Sequence, residues 1–160
     1  MTGMKRGIRG IGILILLAMG GLVCRSADYR VTTPEGFAVF DREQHRYRAI
    51  SSDGVVVKVY AVANNPFGDA GMWGTAVEHY LKSMGYQQIV KKEMATSENL
   101  KGLYMEYLYK YNAEDYIYSL ALFLHDKDIY LFQSGGQKKY YDKRRSSIMR
   151  SLNGLSLKKD

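Results

Sequence analysis

The stretch Gly71–Gly85, GMWGTAVEHYLKSMG, decides how the rest of the sequence is read. Trp73, Ala76, Val77, Tyr80, Leu81 and Met84 recur at i, i+3, i+4, i+7, i+8 and i+11, which is one apolar stripe on a helix of 3.6 residues per turn. Thr75, Glu78, His79 and Lys82 fall on the other side. Asp69 is placed to cap the helix start, and Gly85 stops it. A stripe of this kind is stable only against a wall, and the flanking sequence supplies one in the form of strands.

Upstream, Asn64–Asp69 carries turn chemistry through Asn, Pro and Gly. Before it, Val55–Val62 places Val55, Val57, Val59 and Ala61 on one face and Val56, Lys58, Tyr60 and Val62 on the other, so both faces of this strand are expected to be at least partly covered. Asp53-Gly54 supplies a tight reversal from a preceding strand, Tyr47–Ile50, and Phe37–Phe40 begins another. Downstream, Tyr86–Thr96 alternates loosely and carries Lys91, Lys92 and Glu93, the marks of an exposed or edge strand. Leu103–Lys110 has strand periodicity, and Asn112–Asp115 turns the chain. Ile117–Leu124 is apolar on both faces, as a central strand would be. His125–Asp128 turns into Ile129–Phe132, and Gly135 and Gly136 are expected to end that strand.

A last helix spans Lys138–Leu152, with Tyr141, Arg145, Ile148, Met149 and Leu152 aligned. The stem of Arg145 is expected to cover apolar surface while its charge stays in water. The order is thus β-β-β-α-β-β-β-β-α, an α+β domain built as an antiparallel β-sheet with helices packed on it.

Residues 1–24 have the form of an export signal: Lys5, Arg6 and Arg9, then the apolar run Ile11–Val23, then Cys24. At 13 residues the run falls short of the roughly 20 needed to cross a bilayer. An apolar run closing on a single cysteine resembles a bacterial lipoprotein signal, which implies lipidation of Cys24 and membrane association through the amino terminus. Gly21 and Val23 depart from that pattern, and ordinary cleavage near Cys24 or Ser26 is the competing reading. Either route delivers the body outside the cytoplasmic membrane, to the periplasm or tethered at the cell envelope. Residues 25–36 are expected to be a tether, 37–157 a single domain and 158–160 a tail.

The formal charge of +7 belongs partly to the leader. From Asp28 onward 19 basic residues face 16 acidic ones, too even a balance for the electrostatic footprint of a nucleic-acid partner. Cys24 is the only cysteine, so the body has neither a disulfide nor thiol chemistry.

With the order on the page, the body resembles the PsbP-like fold, shared by an extrinsic photosystem II subunit, the Ran-binding Mog family of nuclear import factors and many small bacterial envelope proteins. The residues that carry the likeness are the Pro-x-Gly-aromatic start at Pro34–Phe37, the Asp53-Gly54 turn into a valine-rich strand, the helix ending in Gly85-Tyr86, and the Tyr-rich hairpins before a terminal helix. It spans roughly Pro34 to Leu152, and implies an α-β-α sandwich that works as a binding, assembly or accessory module. It brings no catalytic residue and no cofactor onto any position here.

The residues themselves point the same way. His45, His79 and His125 are scattered, without metal-ligand spacing. His125 with Asp126 and Asp128 is the one candidate acid-base group, in a stretch that turn chemistry explains more cheaply. No Gly-x-Ser-x-Gly elbow surrounds a serine, and Gly135-Gly136 with Lys138 lacks P-loop spacing. Two surface features are left. Lys138, Lys139, Lys143, Arg144 and Arg145 read first as a solvated helix face and otherwise as a candidate patch for an anionic partner. Tyr104, Tyr107, Tyr109, Tyr111, Tyr116 and Tyr118 are available either for a binding surface or for cross-strand packing.

The expectation is an exported, non-catalytic envelope protein that binds another envelope protein or a membrane complex. A small envelope hydrolase using His125 and a membrane-surface or polyanion-binding module using the basic helix are the alternatives.

Overall fold

A helix carries the chain from the middle of a sheet to its far edge, and this single crossover sets the architecture. The computed structural model describes residues 29–43 and 46–158; the export signal, Cys24 and His45 lie outside the described residues. The elements are β1 (Tyr29–Arg30), β2 (Phe37–Glu43), β3 (Arg46–Ser51), β4 (Val56–Ala63), α1 (Ala70–Ser83), β5 (Gln87–Ala95), β6 (Lys101–Tyr111), β7 (Glu114–His125), β8 (Asp128–Gln137), α2 (Lys138–Asn153) and β9 (Ser156–Leu157). Strands β2 to β8 form one antiparallel sheet in the order β2-β3-β4-β8-β7-β6-β5. After α1 delivers the chain to edge strand β5, three hairpins walk back until β8 docks beside β4.

The turns follow their residue chemistry. Gly54 sits at φ +82°, closing the β3–β4 hairpin with Gly54 N–H donating to the Ser51 carbonyl at 3.0 Å. Asn112 and Ala113, both at positive φ, make the two-residue β6–β7 reversal. At α1, the Asp69 carboxylate accepts from Met72 N–H at 2.7 Å. The helix closes with Tyr86 N–H on the Leu81 carbonyl and Gly85 N–H on the Lys82 carbonyl, both 3.0 Å, with Gly85 at φ +86°.

Each face of the sheet carries one helix. Helix α1 packs on β5, β6 and β7, over Leu103, Met105, Tyr107, Tyr118, Leu120 and Leu122. Helix α2 packs on β7 and β8, bringing Tyr141, Ile148 and Leu152 against Ile117, Ala121 and Phe132. Beyond α2, the same face of β3 and β4 is closed by the β1–β9 ribbon, in which Tyr29 pairs with Leu157. The Tyr29 hydroxyl donates to the Val59 carbonyl at 2.7 Å, and Ser151 Oγ to the Thr32 carbonyl at 2.5 Å.

Three sequence expectations are corrected here. The buried face of α1 is Gly74, Val77 and Leu81, with Trp73 half-buried, while Ala76, Tyr80 and Met84 are exposed. The reason is Gly74: a Cβ there would stand 2.3 Å from Leu103 Cδ2, so the helix meets the sheet along its side-chain-free line and is rotated away from the stripe's centre. Secondly, Gly135 and Gly136 do not end a strand. They pair with β4 and β7 inside β8, and Gly136 is small because Val55 crosses it, 3.0 Å from where a Cβ would be. Thirdly, the charge of Arg145 is not left in water; it meets a buried carboxylate, Glu106.

Candidate functional site

The basic helix α2 places its five candidate cations unequally. Lys138 Nζ lies 2.5 Å from Asp142 Oδ2, and Arg144 Nη2 3.1 Å from Asp53 Oδ2. Arg145 holds Glu106 through both nitrogens, Nη1 to Oε2 at 2.5 Å and Nη2 to Oε1 at 2.9 Å, and also reaches Asp142 Oδ1 at 3.0 Å. The hydrogen bond from Lys138 holds the Asp142 carboxyl below the usual range, with Arg145 adding to it. Lys139 and Lys143 have no carboxylate partner among the described residues; their ammonium groups stand 4.9 and 6.0 Å from the Tyr140 ring centroid. Two of the five cations are therefore available to an outside anion.

Sequence reading missed Glu106, whose partner lies 39 residues away. It is 2% exposed on β6, and besides Arg145 it accepts from the Tyr104 hydroxyl at 2.7 Å. Burial first, then the neighbouring Tyr141 and Glu106, drives the Tyr104 phenol well above its usual value. Beside it, the Ser119, Ser134 and Tyr141 hydroxyls form a closed triangle with edges of 2.6 to 2.9 Å. These groups are fully buried between α2 and the sheet, where they fix the helix in place.

The tyrosines serve chiefly as packing. Tyr107 and Tyr118 are cross-strand partners with ring centroids 6.3 Å apart, and Tyr86 stacks on Tyr109 at 4.6 Å. Only Tyr111 of the six is largely exposed. His79 is on the exposed side of α1. His125 and Asp126 lie 3.5 Å apart at the β7–β8 turn with exposures of 51% and 83%, so no wall of protein surrounds them. Among the described residues, no three His, Cys, Asp or Glu side chains gather to hold a metal.

Among the described residues, half of one sheet face is left open. Helix α1 covers β5 to β7, so on its side the surfaces of β2, β3 and β4 and the adjoining part of β8 are not roofed by it. Cross-strand register places Arg46 with Tyr60, Arg48 with Lys58, and Ile50 with Val56 on this floor. Phe40 is 50% exposed and lies under the Arg48 guanidinium at 4.9 Å, and Ile50 is 37% exposed. Tyr60 accepts from Gln133 Nε2 at 2.8 Å, and burial pushes its phenol up to about 12. Burial, with the Arg48 charge behind it, holds the Lys58 ammonium below its ordinary value. Val56, Lys58, Gln133 and Ser134 line a shallow depression with room for about one water molecule. Such a surface suits contact with an extended partner and gives no enclosure for a reaction.

Three solved structures share this architecture. LpqN of Mycobacterium tuberculosis, described as involved in cell envelope biogenesis, aligns over 82% of this chain and 83% of its own, with TM-score 0.62 and 6% identity. The cyanobacterial PsbP of Synechocystis sp. PCC 6803 aligns over 89% and 99%, with TM-score 0.52 and 10% identity. A protein of Bacteroides thetaiotaomicron VPI-5482 aligns over 83% of this chain with TM-score 0.51 and 12% identity, and the match covers 46% of that longer protein. The chain has the PsbP-like fold. No family model matches the sequence, and neither does any curated protein. Among the described residues no helix is long and apolar enough to cross a membrane.

Proposed function

We propose that this chain is an exported, non-catalytic protein of the cell envelope that binds another envelope protein or a membrane complex in an accessory or assembly role. The observation that carries the reading is the half-open sheet: a floor, backed by α2 and the β1–β9 ribbon, that displays Phe40, Ile50 and Arg46 with no described element roofing them. The export-type leader, and likeness in fold to a protein involved in envelope biogenesis, support the cellular setting. The exposed position of His125 and Asp126 speaks against the hydrolase alternative.

The test is photocrosslinking in intact envelopes from two positions, Val56 on the open floor and Ser146 on the outer side of α2. A discrete adduct from at least one position, together with unchanged cellular behaviour of His125→Ala, is the expected result. Absence of any adduct combined with loss of function in His125→Ala would return the enzyme reading.

Two finer assignments belong to the same proposal. Mass spectrometry of the mature amino terminus decides between Cys24 as an acylated first residue and ordinary cleavage. Lys139 and Lys143 retain a reduced form of the anionic-partner patch on α2, whose binding to anionic vesicles should fall steeply with salt.

A further inference from the structure

We propose that the open half of the sheet receives an extended, carboxylate-bearing segment of a partner protein, with Lys58 as its anchoring cation; this rests on the binding role proposed above and assigns it a surface. Register across the floor gives the row Asp41, Arg48, Lys58, Gln133 on β2, β3, β4 and β8. Arg48 thus has an acidic residue at the position on one side and a like charge on the other. Lys58 has Arg48 on one side and a neutral amide on the other, and among the described residues no carboxylate pairs with it. Like charges directly opposite on neighbouring strands are destabilising, and an anion beside Lys58 would relieve that cost. Lys58 is also half-buried, so it has lost part of its water, and among the described residues no ion pair compensates it.

The shape selects among anions. The recess beside Lys58 takes about one water-sized group, which suits a single carboxylate oxygen and excludes a small molecule held by enclosure. Helix α1 stands on the same face and rises about 10 Å above the floor, so a flat bilayer resting on the protein is held away from Lys58. An extended chain is narrow enough to lie in the trough: β8 to β2 spans three interstrand gaps, about 14 Å. Phe40, Ile50 and the half-buried Val56 supply apolar contact for its alternate side chains.

The experiment is an amide-resonance titration of the full chain with a short alternating Thr-Glu peptide, repeated with the matching Thr-Gln peptide, with inorganic phosphate and with phosphatidylglycerol vesicles. The Thr-Glu peptide is expected to shift amides of β3, β4 and β8, and Lys58→Gln to weaken it about tenfold, the effect of one lost charge-assisted hydrogen bond, while Lys58→Arg keeps binding. The half-exposed position of Lys58 lets both variants keep a dispersed, folded spectrum. An equal response to Thr-Gln, unchanged affinity in Lys58→Gln, shifts confined to Lys139 and Lys143, or Lys58-dependent vesicle binding would each overturn the proposal. Adducts obtained in the envelope from Ser146 but never from Val56 would remove this surface and leave the binding role standing; no adduct from either would remove the role itself.

Discussion

Arg145 and Glu106 bind each other through two parallel hydrogen bonds of 2.5 and 2.9 Å, with the arginine 38% exposed and the glutamate 2% exposed. The burial is one-sided, so the two halves of the pair are not equivalent to remove. Arg145→Met leaves the buried Glu106 carboxyl without its arginine partner and should cost about 3 kcal/mol, whereas Glu106→Gln lets the arginine return to water and should cost about 1–2 kcal/mol. Replacing both, Glu106→Leu with Arg145→Met, should recover stability to within about 1 kcal/mol of the parent. Urea unfolding measures all three, and equal losses from the two single variants would contradict the one-sided picture.

Packing at Gly74 gives a second prediction. In an exposed helix, Gly→Ala stabilises by about 1 kcal/mol. Here the new methyl would meet Leu103 Cδ2 at 2.3 Å, so Gly74→Ala should instead destabilise by about 1–2 kcal/mol. Leu103→Val in the same chain should recover part of that loss, and a double-mutant cycle with no coupling between the two sites would refute the close approach.

Trp73 is the only tryptophan and reports on the loop before α1. Its Nε1–H donates to Asn64 Oδ1 at 2.7 Å, and Asn64 also accepts from Gly68 N–H at 3.0 Å and donates to the Gly68 carbonyl at 2.9 Å. Asn64→Ala strands all three groups, for an expected loss of about 2 kcal/mol and a red shift of the tryptophan emission. Emission that stays at the parental wavelength would show that the indole N–H does not depend on Asn64.

Alkaline pH gives a fourth. Burial raises the Tyr118 and Tyr141 phenols above their ordinary value and takes Tyr60 to about 12. In the unfolded chain tyrosine titrates near about pH 10. A group raised by folding contributes stability that is fully present below the unfolded value and drains as pH climbs through the folded one. Stability should therefore hold up to about pH 10 and fall between about 10 and 12, with tyrosinate absorbance and loss of far-ultraviolet circular dichroism rising together. Complete tyrosine ionisation near pH 10 with the sheet signal intact would count against it.

What the sequence disclosed depended on how far each cause lies along the chain. Gly54, Asn112, the Asp69 cap and the Gly85 stop act on their immediate neighbours, so the turns and the helix ends were legible, and with them the order of strands and helices. Glu106 looked like one polar member of an alternating strand because its partner comes from α2. The face α1 buries is set by Leu103, and the small size of Gly136 by Val55, neither of them local. The open floor was hidden for the same reason: it exists because β8 returns to pair with β4 while α1 stays over the far strands, a fact of topology that no window of residues contains.

The clasp between Tyr29 and Leu157 gives the molecule a back and a front. Both ends of the described chain emerge behind the sheet, on the side closed by α2. The floor with Lys58 lies on the opposite side, so neither described end crosses in front of it.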